Sequence, residues 1–329
     1  MTDEEGMTYA EAGVDIDASE AATAALLDAV SAQVTDETDS DYAGLIDIGD
    51  RYLALATDGV GTKLLVAEAL GDYSTVGIDC IAMNVNDLVA AGIQPVAFVD
   101  YLAIDEPDDE TATQIGEGLA AGAEHAEMAL VGGETAVMPD VVSGLDLAGT
   151  CAGLAPKDAV LSGTVAPGDR LVGVPSSGIH SNGLTLARTA ATSDHSYTDP
   201  FPLDTNRTIG DVLLEPTRLY TDLLEPIWEH AVDAAAHITG GGWTNLLRMG
   251  EFDYVIDDPF DAQPVFEFIQ SEGTVSDEEM HRTFNMGTGF VMAVDHTDAE
   301  HLASAVDGRV IGHVEDGDGT VSIRNLQLS

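Results

Sequence analysis

The sequence predicts an α/β or α+β chain built as two units of similar size. Three observations carry this. Short apolar runs alternate with segments whose apolar residues recur at helical spacing. At "GTVAPGDR" (163–170) the punctuation changes to proline and glycine, which places the expected boundary between units 1–165 and 166–329. Twice in the second unit a strand runs into a glycine-rich loop and then a helix. The 329 residues are enough for two separate cores.

Residues 1–43 are polar and acidic, with a helix expected over "SEAATAALLDAV". "RYLALAT" (51–57) reads as a strand. "STVGIDCIAMNVNDLVAAG" has the 3.6 period, with Ile78, Ile81, Ala82, Val85, Leu88 and Val89 on one side. Asp79 and Asn86 share another face and Asp87 adjoins it, a pattern that fits a polar outer surface. "PVAFVDYLAI" is a strand, and "DDETATQIGEGLAAGAEHAEM" is a helix with acid at its start, where the macrodipole favours it. "ALV" (129–131) leads as a short strand into Gly132, Gly133 and Glu134, and "LDLAGTCAGLA" is another strand. The second unit opens with strand "RLVGVP", loop "SSGIHSNG" and helix "LTLARTAA". Strand "AAAHI" then runs into "TGGGWTNLLRM", a glycine loop and helix. "YVID", "FVMAVDH" and "RVIGHVE" are strands, and "EPTRLYTDLLEPIWEHA" and "PVFEFIQ" are helical in pattern.

Asp and Glu number 59 against 11 Lys and Arg, a formal charge of −48, yet 45% of residues are apolar. That apolar share excludes a disordered acidic tail. The acid is spread along the chain, so it describes a surface that repels itself in dilute buffer. At ~1 M salt the Debye length is about 3 Å and the repulsion is screened; a salt-rich cytoplasm is the expected setting. The same charge argues against nucleic acid as a partner. No apolar run approaches the ~20 residues of a spanning helix, and the N-terminus lacks the basic and apolar regions of a signal peptide. Cys80 and Cys151 lie in apolar segments and suggest no disulfide framework.

Lys63 is one of two lysines in the chain. It sits in "ATDGVGTKLL", where a strand ends at Thr57 and Asp58 offers a cation ligand. Gly59 and Gly61 let backbone N–H groups approach an anion, and Lys63 supplies a point charge for phosphate. A tight turn with a surface lysine is the plain alternative, disfavoured by the scarcity of lysine. The glycine pair before Glu134 is either a turn or a way to place that carboxylate beside a metal. Asp58, Asp87 and Glu134 are three hard oxygen donors that would suit Mg²⁺ bound with substrate phosphates. In "PSSGIHSNG" and "HITGGGWTN", His180 and His237 stand with hydroxyls and glycines between a strand and a helix, where anions meet helix N-terminal amides. Both are candidate acid/base or phosphate-binding groups.

"YAEAGVDID" (9–17), "TDGVGTK" (57–63), "GIDCIAMNVNDLVAAGIQPVAFVDYLA" (77–103), "ALVGGETAVMP" (129–139), "SSGIHSNG" (176–183), "LLEPTRLY" (213–220), "HITGGG" (237–242) and "MHRTFNMGTG" (280–289) occur in this order along the chain. In these segments the sequence resembles the phosphoribosylformylglycinamidine cyclo-ligase (aminoimidazole ribonucleotide synthetase) family over nearly its whole length. "TDGVGTK", "GGET" and "ND" are shared with a wider superfamily of ATP-using relatives; "AGVDID", "SSGIHSNG", "HITGGG" and "RTFNMG" narrow the resemblance. It implies a two-domain α/β fold whose N-terminal half joins a second copy around a barrel of strands. It also implies ATP and Mg²⁺, with K⁺ a further candidate ion, and a small ribonucleotide substrate. The implied cofactor-binding residues are Thr57, Asp58, Gly59, Gly61, Thr62, Lys63, Asn86, Gly132 and Gly133, and the implied metal ligands are Asp58, Asp87 and Glu134. Ser177, His180, Ser181, Asn182, Thr239, Gly240, Gly241 and Gly242 would hold the substrate, with Lys63, Asp87, His180 and His237 acting in catalysis.

The sequence also departs from that family's pattern. The basic, glycine-rich segment expected ahead of "RYLALAT" is replaced by "SAQVTDETDSDYAGLIDIGD", so no closing loop carries over. The usual Tyr and Cys of "YRTFNCG" are His281 and Met286 here. A selenophosphate synthetase would need a reactive Cys near its start, and none precedes Cys80.

Overall fold

The computed structural model describes residues 6–10, 12–13, 16–30, 42–161 and 165–329. The acidic segment at 31–41, part of "YAEAGVDID" and residues 162–164 at the expected boundary lie outside the described residues, and with them the question of a closing loop.

After α1 (Ile16–Val30) comes a five-stranded sheet of β1 (Gly44–Asp47), β2 (Arg51–Gly59), β3 (Gln94–Ile104), β4 (Ala129–Val137) and β5 (Leu145–Pro156), in the order β1-β2-β5-β3-β4. Neighbours are antiparallel except β3 and β4, which run parallel. Helices α2 (Lys63–Leu70) and α3 (Val76–Ala90) connect β2 to β3, and α4 (Asp109–His125) makes the crossover that parallel strands require. The acid expected at the start of α4 is there: the Asp108 carboxylate accepts from the Glu110 and Thr111 N–H groups, capping the helix.

Helices α3 and α4 press against each other at glycine. A Cβ on Gly77 would lie 2.3 Å from the Leu119 nitrogen, so only glycine allows the two backbones to approach this closely. The opposite face of the sheet is bare. In β3, Phe98 and Leu102 are buried on the helix side, whereas Val99 and Tyr101 are 41% and 46% exposed on the other. Leu55 of β2 is exposed as well.

The second half is built on β6 (Arg170–Pro175), with a small hairpin of β7 (Pro200–Phe201) and β8 (Asp204–Thr208), then β9 (Ala234–His237), β10 (Asp253–Ile256), β11 (Thr288–Val294), β12 (Arg309–Glu315), β13 (Val321–Ile323) and β14 (Leu326–Leu328). Seven of these form a mixed sheet in the order β14-β13-β10-β12-β6-β11-β9. Around it lie α5 (Leu184–Ala191), α6 (Ile209–Leu213), α7 (Leu224–Glu229), α8 (Pro264–Gly273), α9 (Asp277–Thr283) and α10 (Ala299–Ala305). Every residue of β11 is buried, as befits a strand covered on both faces. One cluster of buried apolar side chains runs unbroken from Leu88 and Phe98 in the first half to Tyr220 and Phe290 in the second. A smaller one, with Trp243, Tyr254 and Val291, lies in the second half alone.

Several sequence expectations are corrected. Gly132, Gly133 and Glu134 are not a turn but the middle of β4. "TGGGWTNLLRM" winds as a 3₁₀ segment, Gly242–Met249, and not as an α-helix. Of "EPTRLYTDLLEPIWEHA" only Leu224–Glu229 is α-helical, after a 3₁₀ turn at Thr221–Leu223. The backbone of 215–220 is taken up by side chains of the first half. Helix α2, unexpected from sequence, starts where Gly61 turns the chain through a left-handed φ of 69°.

Candidate active site

Strand β2 brings Asp58 to the helix-covered side of its sheet. The Asn84 side-chain amide of α3 donates to the Asp58 carbonyl at 3.1 Å, and the Asp58 carboxylate accepts from the Gly59 N–H at 2.7 Å. Asp58 is exposed to solvent, yet the atoms crowded around its carboxyl partly desolvate it and raise its pKa above the usual carboxylate range; the nearby Asp87 charge pushes it the same way, against the pull of the Gly59 N–H and of His237. Two carboxylates from different elements therefore lie near enough for each to feel the other's charge. Asp87 is half-buried on α3 and receives His237 Nδ1 at 3.0 Å. The His237 Nε2 faces the Asn86 side-chain NH₂ at 3.5 Å, a donor, which puts the ring proton on Nδ1, donating to Asp87.

Opposite these acids lie the two loops of the second half. Thr62 and Thr185 join the halves by a hydroxyl–hydroxyl contact of 2.9 Å. The Asn182 amide meets the Met83 sulfur of α3 at 3.6 Å, and Gly240 packs beside Asn182. Thr239 N donates to the Asn245 side-chain oxygen at 2.7 Å, which fixes the start of the glycine loop. Ser181, Asn182, Thr239, Gly240 and Gly241 are all half-exposed, and Ser177 is exposed. Gly242 is buried, its Cα against the backbone of His281 and Arg282.

Several sequence assignments are corrected by where the side chains lie. Lys63 does not face the cleft. It is fully buried, with Nζ 2.8 Å from Asp79 Oδ1 and donating to the Glu215 carbonyl at 2.6 Å. An ammonium out of water requires a carboxylate partner, and Asp79 is one turn into α3, beside it. Asn86 is likewise fully buried, both ends of its amide committed to the Arg218 carbonyl (2.8 Å) and the Tyr220 N–H (2.9 Å). His180 and His237 are 1% and 0% exposed, flanking the ring of Tyr220 at centroid distances of 6.3 and 6.2 Å. His180 Nε2 accepts from the Ser177 N–H, and burial drives its pKa well below the usual imidazole value, with the Lys63 and Arg218 charges adding to the effect. Its Nδ1 is buried with no hydrogen-bond partner among the described residues. Gly289 is required beside it, since a Cβ there would sit 2.0 Å from the Tyr220 hydroxyl.

Glu134 is placed differently too. It pairs across the ladder with Tyr101, so the two share a face, the bare one, with α3 and Asp87 on the other side of the sheet. Gly133 has its own reason: a Cβ there would strike the Asp100 carboxylate at 2.4 Å. Thr57 also turns from the acids, its hydroxyl donating to the Gly149 carbonyl. Among the described residues no three carboxylate, imidazole or thiol groups gather as a metal-binding cluster. What converges is the pair Asp58 and Asp87.

Sequence reasoning passed over Asp79, Thr217, Arg218 and Tyr220. The available signal was Asp79 and Asn86 seven apart inside a helix with apolar residues on nearly every other side.

The two-sheet architecture, its halves packed on one shared apolar cluster, defines the fold class: a two-domain protein of AIR-synthase type. Residues 40–155 match the family described as AIR synthase related protein, N-terminal domain, and residues 166–324 its C-terminal domain. The phosphoribosylformylglycinamidine cyclo-ligase of Methanosarcina acetivorans is 48% identical over 94% of this chain and 96% of its own. That of Pyrococcus furiosus is 45% identical over 89% and 90%. The chain belongs to the phosphoribosylformylglycinamidine cyclo-ligase family. Among solved structures, AaThiL complexed with AMPPCP and TMP shares the fold with a TM-score of 0.69 at 17% identity, over 92% of this chain and 94% of that one. A Thermus thermophilus protein, tt0281, gives 0.65 at 21%, over 93% and 97%.

Proposed function

We propose that this chain catalyses ATP-dependent ring closure of formylglycinamidine ribonucleotide to aminoimidazole ribonucleotide, releasing ADP and phosphate, with the nucleotide and dimer contacts carried by residues 1–165. The observation that carries this is 48% identity to a named cyclo-ligase over nearly the whole length, and the 3.0 Å contact of Asp87 with His237 of the "HITGGG" segment supports it. The formyl amide oxygen is a poor leaving group. Transfer of the terminal phosphoryl group forms an O–P bond and breaks the bridging bond to ADP. The amidine nitrogen then attacks the same carbon, a C–N bond forms, the C–O bond breaks and phosphate departs; the nitrogen gives up its proton. Two repelling carboxylates made of hard oxygen donors fit a divalent cation, and Asp58 and Asp87 would hold Mg²⁺, whose chemistry is to neutralise the transferring phosphoryl charge. His237 keeps Asp87 aimed into the cleft, and the loops hold the ribonucleotide in place against it. The test is ADP release in molar KCl with formylglycinamidine ribonucleotide and without it. Substrate-independent release, or none, would count against the assignment.

The bare face of the first sheet, with Leu55, Val99 and Tyr101 exposed, supports a homodimer formed there, since exposed apolar patches of this kind mark interfaces. Sedimentation equilibrium should give the mass of two chains. Val99→Asp with Tyr101→Glu should give the mass of one, with the far-ultraviolet circular dichroism retained.

The charge of −48 supports a salt-adapted surface in a cytoplasmic enzyme, and no helix among the described residues is long and apolar enough to cross a membrane. The melting temperature should rise as KCl goes from about 0.1 M to ~1 M, where the Debye length shrinks from about 10 Å to about 3 Å. A flat melting curve would remove the salt adaptation.

A further inference from the structure

A buried chain of hydrogen bonds leads from the misread lysine to a loop of the cleft. Asp79 Oδ1 accepts three donors: Lys63 Nζ at 2.8 Å, the Thr217 N–H at 2.8 Å and the Thr217 hydroxyl at 2.6 Å. Lys63, Asp79 and Thr217 are 0%, 0% and 2% exposed. The Thr217 hydroxyl in turn lies 3.2 Å from that of Ser181, in "SSGIHSNG".

The direction of each bond in this chain follows from its first member. A carboxylate beside an ammonium, with three donors on one oxygen, has no proton to give and is acceptor only. Thr217 has a single hydroxyl proton. At 2.6 Å from that carboxylate the proton must lie between the two oxygens, as in a short charge-assisted bond. Toward Ser181, Thr217 then has only lone pairs, so the proton in that contact belongs to Ser181. Ser181 thereby spends its one proton inward. What its half-exposed oxygen offers a bound molecule is lone pairs alone.

We propose that the Lys63–Asp79–Thr217 relay sets Ser181 as a hydrogen-bond acceptor that recognises an N–H group of the substrate, the amidine nitrogen, and not its phosphate. Phosphate oxygens are acceptors and gain nothing from a second acceptor. Ser181 is on this account a specificity-determining residue, and Lys63, Asp79 and Thr217 are positioning residues that act through it. The inference rests on the cyclo-ligase reading for the identity of the substrate, and on the hydrogen-bond geometry for the polarity of the site.

The experiment is binding calorimetry in molar KCl with the amidine ribonucleotide, its amide analogue carrying a carbonyl oxygen in place of the amidine nitrogen, and ribose 5-phosphate. The wild-type chain should prefer the amidine over the amide by about tenfold, the scale of one hydrogen bond of this kind. Ser181→Ala and Thr217→Val should each bring that ratio close to one and leave binding of ribose 5-phosphate and of ATP unchanged. Thr217→Ser, which restores the hydroxyl, should restore the preference; a purely structural role for Thr217 would weaken all ligands together. A ratio that survives Ser181→Ala, or a loss confined to ribose 5-phosphate binding, overturns the proposal. Wild-type binding with the amidine preference but without turnover would sink the ligase reading and leave Ser181 as assigned. A wild-type chain without the preference would overturn the Ser181 assignment whatever its turnover.

Discussion

Lys63→Met is expected to lower stability by about 3–5 kcal/mol, the cost of leaving a buried charge without its partner. The carboxylate of Asp79 would keep the Thr217 donors but lose the only cation it touches among the described residues, and the Glu215 carbonyl would lose its donor. Methionine fills a similar volume, so the loss would report the charge and not a cavity. The second half of the test is Lys63→Met with Asp79→Asn, which removes the orphaned charge while keeping an oxygen for Thr217. Much of the stability should return. Chemical denaturation of the three proteins in molar KCl measures this. Were Lys63 instead a phosphate ligand, as its sequence context suggests, the single variant would keep its stability and lose ATP affinity.

Asp58→Asn should act the other way round, on turnover and not on folding. Its carboxylate accepts from the Gly59 N–H and has an unfavourable neighbour in Asp87. Removing the charge relieves that repulsion, so thermal stability should hold or rise slightly. Turnover should fall by about 10²–10³, the range found when one pre-organised electrostatic contact to a transition state is lost. ADP release under saturating ribonucleotide measures it, with the melting temperature as the control. Full activity would place the phosphate site elsewhere.

Much of the fold was legible in the sequence because period and punctuation report local structure directly. Strands β2, β3, β5 and β6 and helices α3, α4 and α5 lie where the pattern puts them. What the pattern missed depends on distant partners. The 215–220 stretch has a helical spacing, yet its carbonyls and N–H groups are claimed by Asn86, Lys63 and Asp79, all more than a hundred residues away in the chain. The glycine pair before Glu134 looks like a turn, but Gly133 is small because Asp100 stands across from it in the next strand. The site was legible in the same proportion. Motif residues stand where the two halves meet, and the Asp87 charge is felt at Asp58, but residue type alone cannot say which polar side chains face inward. Lys63, Asn86, His180 and His237 are all fully buried, each hydrogen-bonded to a neighbouring group.

The unbroken apolar cluster from Phe98 to Phe290 has a mechanical corollary. Two lobes that share one interior have no shear plane, so jaw-like rotation of one against the other would tear open packed hydrocarbon. Amide hydrogen exchange should accordingly be slow across both ends of that cluster, with or without nucleotide.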